Sequence, residues 1–317
     1  KTMRSSGVRK SIIYSLTGLL VAALCVTTAM AQDSTESAAV QSYNLGIQAE
    51  QKGDTGEAIT YYTAAITADA NYADAYYNLG SIFFAQNNLE KAATNFKKVT
   101  ELSPTSGDAF AAYGKVLYAQ GKFDPALQAY QQALTNDPNY TEGIKELGKL
   151  YFKMATQSSK SNERGSLYNQ SISNLEKYVA KNPKDAYSYY LMGMAYKRLK
   201  NNSKAIDNLT KASQLDPKDF EAIYSLAGIH LSMERYSQAI NAYEKALKLK
   251  PKNYHAAYNL AIAVQSSDPE NYDAAIAAYE RFLSVARKNT DSRAKKLITQ
   301  VESLVKKLNE AKADAGG

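Results

Sequence analysis

Apolar and polar positions follow two nested rhythms along this chain. The short one is helical. In ADAYYNLGSIFFAQNNLEKAATNFKKVTELSPTS, residues 73–106, Tyr76, Leu79, Ile82 and Phe83 fall at helical spacing, and Ala92, Phe96 and Val99 do the same after a polar AQNN break. That spacing lines one stripe of a helix, so the stretch predicts two helices joined by a short turn. Pro104 closes the second, because proline cannot continue a helix. The long rhythm is a repeat. YNLG at Tyr43–Gly46 returns at Tyr77–Gly80, 34 residues on, and YNLA at Tyr258–Ala261 follows 181 residues later, five periods plus 11. A two-helix unit cannot cover its own apolar stripe, so copies must stack in series.

Two small-residue slots keep the same period. Gly46, Gly80, Gly114, Gly148, Gly193, Ala227 and Ala261 fill the first; Ala58, Ala92, Ala126, Ser171, Ala205, Ala239 and Ala275 fill the second. Both belong where paired helices approach closely, and a larger side chain there would overpack the unit. Pro104, Pro138, Pro183, Pro217 and Pro251 end five units, with Ala70 standing in once. Asp124, Ser203, Ser237 and Asp273 are expected to cap the second helices, Asp124 directly before Pro125.

The slots at Tyr76, Leu79, Gly80, Phe83, Ala92, Phe96, Val99 and Pro104 resemble the tetratricopeptide repeat over most of the chain. The resemblance implies an all-α protein, a right-handed α-solenoid of seven helical hairpins over 39–290. A C-terminal capping helix over 291–312 and a flexible tail, 313–317, would follow. In the cap, Leu297, Ile298, Val301, Leu304, Val305 and Leu308 trace one face and Lys295, Lys296, Lys306 and Lys307 the polar side. A last hairpin needs such a cover; a basic, apolar-faced helix lying on a membrane surface is the rival reading.

The spare 11 residues fall in the Ser-rich stretch 154–169 of the fourth unit. They read as a longer turn, with room for extra helical turns, and serve either as a tolerated insertion or as a dedicated partner contact. The seventh unit carries two additional residues around QSSDPENYDAA and no closing proline.

The N-terminus has its own pattern. Arg4, Arg9 and Lys10 precede the apolar run Ile12–Val26, and Ala29-Met30-Ala31 offers a cleavage point. Residues 1–31 therefore read as a signal peptide, with 32–38 as a linker. An uncleaved anchor is the alternative, since the segment is long enough to span a bilayer. Lipid attachment at Cys25 is disfavoured by Leu24 before it, where a small residue is expected. The rest of the chain has no cysteine, which excludes disulfides and cysteine-rich metal sites there. Export points to the periplasm or the exterior of a bacterial cell envelope, with membrane contact only through an uncleaved N-terminal segment or a partner.

Without residues 1–31 the chain has 34 basic against 31 acidic residues, a net of +3. Residues 32–140 hold 12 acidic and 6 basic residues, a net of −6, which leaves +9 for residues 141–317. So mild a net charge argues against a nucleic-acid partner.

In tetratricopeptide arrays the first helix of each hairpin lines a groove that holds peptides. The resemblance places Tyr43, Tyr77, Tyr190, Tyr224 and Tyr258 in one groove slot, with Asn44, Asn78 and Asn259 in the next. Tyrosine offers flat apolar area with a hydroxyl handle; asparagine can bind a peptide backbone. Ala112, Glu146, Leu191 and Ser225 interrupt the asparagine row. Lys145 and Lys149, with Lys153, Lys197 and Arg198, suggest a basic stretch for an acidic partner segment, tempered by Glu142 and Glu146. The family's clamp for a C-terminal carboxylate is incomplete, because Leu191 stands where asparagine is needed. His230 sits in an aromatic packing slot and His255 faces the groove without a second ligand beside it. No nucleophile elbow, phosphate loop or paired-carboxylate motif appears. These residues lead to a non-catalytic scaffold with no cofactor or metal, binding a protein or peptide partner. The alternative is a subunit that self-associates head to tail through its opposite charges.

Overall fold

A computed structural model of the chain describes residues 38–289 and 291–315, which contain fifteen α-helices and no strand. The leader 1–31 and residues 32–37 lie outside the described residues. The chain divides at 143/144 into two compact units. The first holds α1 (38–52), α2 (Thr55–Ala68), α3 (Ala73–Ala85), α4 (Leu89–Leu102), α5 (Gly107–Ala119) and α6 (Phe123–Asn136). The second holds all but the first turn of α7 (Thr141–Gln157), then α8 (Ser161–Lys181), α9 (Ala186–Arg198), α10 (Asn202–Leu215) and α11 (Phe220–Ser232). It continues with α12 (Tyr236–Leu249), α13 (Tyr254–Ser267), α14 (Tyr272–Ala286) and α15 (Ser292–Ala315). Helices adjacent in sequence pack on one another from α8 to α15, and the first helices α9, α11 and α13 also touch in succession. Those are the contacts of stacked hairpins.

The small slot works as a point of close approach. A Cβ placed on Gly46 would stand 2.5 Å from the Tyr62 ring, and one on Gly193 would stand 2.6 Å from Leu209 Cγ. Tyr62, Leu209 and Tyr243, from the second helices, are completely buried. The prolines act as expected. α4, α6, α8, α10 and α12 each end two residues before theirs.

The capping positions differ from expectation. α10 and α14 are capped by Asn201 and Asn271, whose side chains accept from the amides of Lys204 and Ala274. α6 and α12 start after Lys122 and Arg235, without a side-chain cap. Asp124, Ser203, Ser237 and Asp273 thus lie inside their helices, and Pro125 is tolerated because first-turn amides lack intrahelical partners anyway. The cause is the turn. Gly53, Asn87, Gly121, Lys200 and Glu234 hold positive φ angles of 79°, 58°, 75°, 61° and 58°, and each immediately precedes the N-cap. At α6, α10 and α12 that left-handed step brings the chain into helical geometry two residues early; α14 starts equally early after Asn271 with no left-handed residue before it. Lysine and glutamate are strained there, whereas glycine is not. Glu234→Gly should therefore stabilise the second unit by about 0.5–1 kcal/mol, read as a higher midpoint in urea unfolding.

The insertion is helix rather than loop. Other hairpins, such as α3 with α4 or α9 with α10, have helices of 13 and 14 residues; α7 has 17 and α8 has 21. The four extra residues of one and seven of the other account for all 11. Four residues make about one turn and seven about two, so both apolar stripes keep their direction. Only 158–160 form the turn.

The helix α15 covers the last hairpin. Ala294, Val301 and Leu308 are buried in one cluster with Phe282, Leu283 and Ala286 of α14, while Leu297, Ile298, Leu304 and Val305 pack at its margin. Lys295, Lys296, Lys306 and Lys307 are exposed. The apolar face is therefore occupied by protein, which disfavours the membrane-surface reading. Among the described residues no helix is long and apolar enough to cross a membrane.

Candidate functional site

Each unit carries part of the tyrosine row. In the first, Tyr43 is half-buried between Tyr62 and Tyr72, with ring centroids 5.6 and 5.1 Å away, and Tyr77 packs edge-on against Phe96 at 5.3 Å. Burial, then the charge and hydrogen bonding of Asp108, push the Tyr77 hydroxyl up to about 12. The same carboxylate accepts from Tyr140 Oη at 2.7 Å. Asn44 is exposed.

In the second unit Tyr190, Tyr224 and Tyr258 repeat at 34-residue intervals on α9, α11 and α13, all half-buried. Tyr190 stacks on the exposed Tyr187 with centroids 6.1 Å apart, and Tyr224 lies nearly parallel to Phe220 at 5.5 Å. Tyr224 also meets Tyr243 edge-on at 5.8 Å, and Tyr258 meets Phe282 at 5.3 Å. One side of each ring is thus scaffold. Burial, then Glu221 and Asp219, raise the Tyr190 hydroxyl above the ordinary phenol range, and burial raises that of Tyr224.

The asparagines have a role that spacing did not reveal. Asn78 Nδ2 donates to Tyr43 Oη at 3.3 Å, and Asn259 Nδ2 donates to Tyr224 Oη at 3.0 Å. Each amide ties its hairpin to the tyrosine of the preceding one. Asn78 also acts on the Tyr62 hydroxyl and Asn259 on that of Tyr243, so both amides serve the scaffold.

The expected basic stretch is neutralised at Lys145 and Lys149. Lys145 pairs with Asp185 at 3.3 Å and lies 5.0 Å over the Tyr178 ring, while Lys149 pairs with the buried Glu146 at 2.6 Å. Lys145 and Lys149 are therefore internal partners first. Lys197 is half-buried, and burial together with the adjacent Arg198 charge lowers its pKa.

Neither histidine joins a polar cluster. His255 packs against Tyr254 with centroids 4.1 Å apart. His230 is half-buried, and its Nδ1 is enclosed without a hydrogen bond. Burial, then Arg235, lower its pKa. A base with a depressed folded pKa binds fewer protons when folded, so stability falls as pH drops below its unfolded value. Between about pH 7.5 and about pH 5, the parent should lose more stability than His230→Phe, as thermal melts would record. Among the described residues no three His, Cys, Asp or Glu side chains gather as a metal site.

With this geometry in place, family models align to nearly every hairpin. One described as tetratricopeptide repeat matches residues 43–107 and 224–292, one described as TPR repeat matches 114–154, and one described as anaphase-promoting complex, cyclosome, subunit 3, matches 165–246. The chain is a tetratricopeptide-repeat protein. No curated protein matches it significantly along its sequence. Among solved structures, this tetratricopeptide array is similar to a MamA protein at 28% identity and a TM-score of 0.51, over 57% of this chain and 92% of that one. YrrB, described as a TPR protein with an unusual peptide-binding site, aligns at 21% identity and a TM-score of 0.52, over 62% and 96%. The C-terminal part of a TPR repeat-containing protein from Cytophaga hutchinsonii aligns at 18% identity and a TM-score of 0.61, over 80% and 98%. The last two likenesses speak to fold alone. Tetratricopeptide arrays are in general scaffolds for protein–protein interaction.

Proposed function

We propose that this array is a non-catalytic scaffold, exported to a bacterial cell envelope, that holds a protein or peptide partner against its first helices. The observation that carries the reading is the row of half-buried Tyr190, Tyr224 and Tyr258 on consecutive first helices. Rings fixed on one side by stacking lose little freedom on binding, and their hydroxyls offer polar handles. The signal-like segment 1–31 supports export, which the mass of the mature N-terminus in a cell fraction would test.

The partner reading is tested with material recovered from native envelope fractions and then purified. Replacing Tyr190 and Tyr224 by alanine should weaken binding about tenfold or more, with far-UV circular dichroism unchanged. Equal affinity in parent and variant would sink the groove site.

The charge difference between residues 32–140 and 141–317 favours a second reading, self-association. It requires oligomers at low salt that dissolve as ionic strength rises. A strictly monomeric species in light scattering at low salt rules it out.

A further inference from the structure

The lengthened fourth hairpin does more than preserve its apolar stripe. The added turns at the end of α7 and the start of α8 close with the end of α9 around a cavity of about 500 Å3. Thr156, Ser161, Arg164, Tyr168, Arg198 and Lys200 supply its polar lining, which contains three cations and no carboxylate. Neither Arg164 nor Arg198 takes part in an ion pair among those of the described residues. The nearby Glu163 carboxylate is engaged by the Ser158 hydroxyl at 2.7 Å.

Tyr168 provides the second, independent observation. Only 5% of it is exposed, and its ring packs edge-on against Phe152 at 5.6 Å. Tyr168 nevertheless lines the cavity, and no hydrogen bond joins its hydroxyl to another described residue. Burial raises the pKa of that hydroxyl while the charges of Arg198 and Arg164 oppose the rise, so both guanidiniums act on the same point. Two planar guanidiniums without ion-pair partners, beside a phenol hydroxyl not engaged within the described chain, form a receptor for an oxyanion. The cavity is several times larger than one small ion, and Ala155 and Leu199 give it an apolar wall suited to a methylene stem.

We propose that this cavity takes the carboxylate side chain of an acidic segment in the protein that the array holds. The proposal rests on the scaffold reading above and names the chemistry of its partner. Arg164 and Arg198 clasp the carboxylate, Tyr168 donates to it, and the glutamate or aspartate stem lies along Leu199.

The test uses the full chain and a fluorescein-labelled peptide, Gly-Glu-Glu-Gly-Glu-Glu-Gly, followed by anisotropy at two salt concentrations. Arg164→Gln with Arg198→Gln should weaken binding about tenfold or more and flatten the salt dependence. Arg287→Gln, which removes an arginine already paired with Glu302 at 2.8 Å, should leave affinity unchanged, and a Gln-for-Glu peptide should not bind. Equal affinity in the double variant, an equal loss with Arg287→Gln, or displacement of the peptide by equimolar inorganic phosphate would overturn the proposal. If the native partner is lost by the Tyr190 and Tyr224 variant but kept by the arginine variant, the cavity assignment fails and the scaffold reading stands. Peptide binding that needs the arginines, beside a partner indifferent to the tyrosines, would instead keep the cavity and remove the tyrosine groove.

Discussion

Replacing Phe282 with alanine should cost the second unit about 3–5 kcal/mol, the range for emptying a large core position. Phe282 is fully buried and supports the ring of Tyr258 at 5.3 Å. Its slot holds Ala65, Val99, Ala133, Tyr178, Ala212 and Ala246 in the other hairpins, and four of these six are alanine. The seventh hairpin has no eighth behind it, and α15 stacks there instead, in one buried cluster with the ring. Alanine would suit an internal hairpin and leave a void here. Because a stacked array transmits loss through neighbour contacts, the urea midpoint of the whole unit should fall, not only that of α14. A shift below about 1 kcal/mol would mean that the site collapses around the change.

A second large effect is expected at the cap. Val301 lies midway along the buried stripe of α15 and is 1% exposed. Val301→Asp places a carboxylate in that contact with no cation built to meet it, a cost of about 3–5 kcal/mol. The chain can escape by releasing α15, so the loss should appear as new proteolysis between α14 and α15. Val301→Ala serves as the control, at about 1–3 kcal/mol. The exposed ion pair between Arg287 and Glu302 is too weak to hold the helix alone. Protease resistance equal to the parent in Val301→Asp would show that α15 is not held by its apolar stripe.

The helical hairpins and their order were legible because one period carried three independent signals: apolar spacing, two small slots and a closing proline. The cap α15 was legible from its stripe. What failed was local. Asp124 beside Pro125 looks like a helix start, yet the left-handed residue at Gly121 starts α6 earlier, and no side-chain pattern reports a backbone sign. The stretch 154–169 looks like a loop because it is polar, but its added turns extend into solvent, where polar residues are compatible with helix. At the candidate site, the tyrosine positions followed from the repeat. The bridges from Asn78 to Tyr43 and from Asn259 to Tyr224 did not, since they join residues 35 apart in sequence. Lys145 looks like a partner-binding cation in sequence because Asp185 becomes its partner only once α9 is folded, whereas Glu146, one turn from Lys149, could already be read as tempering the charge. Arg164 and Arg198 show the converse, charges whose lack of ion pairs emerges only in the fold.

Hydrogen–deuterium exchange on the second unit, with and without the purified partner, tests the docking claim most directly. Slowed exchange is expected along α9, α11 and α13, strongest around Tyr190 and Tyr224, with α10 and α12 unchanged. Protection confined to α10, α12 or α15 would place the partner elsewhere and contradict it.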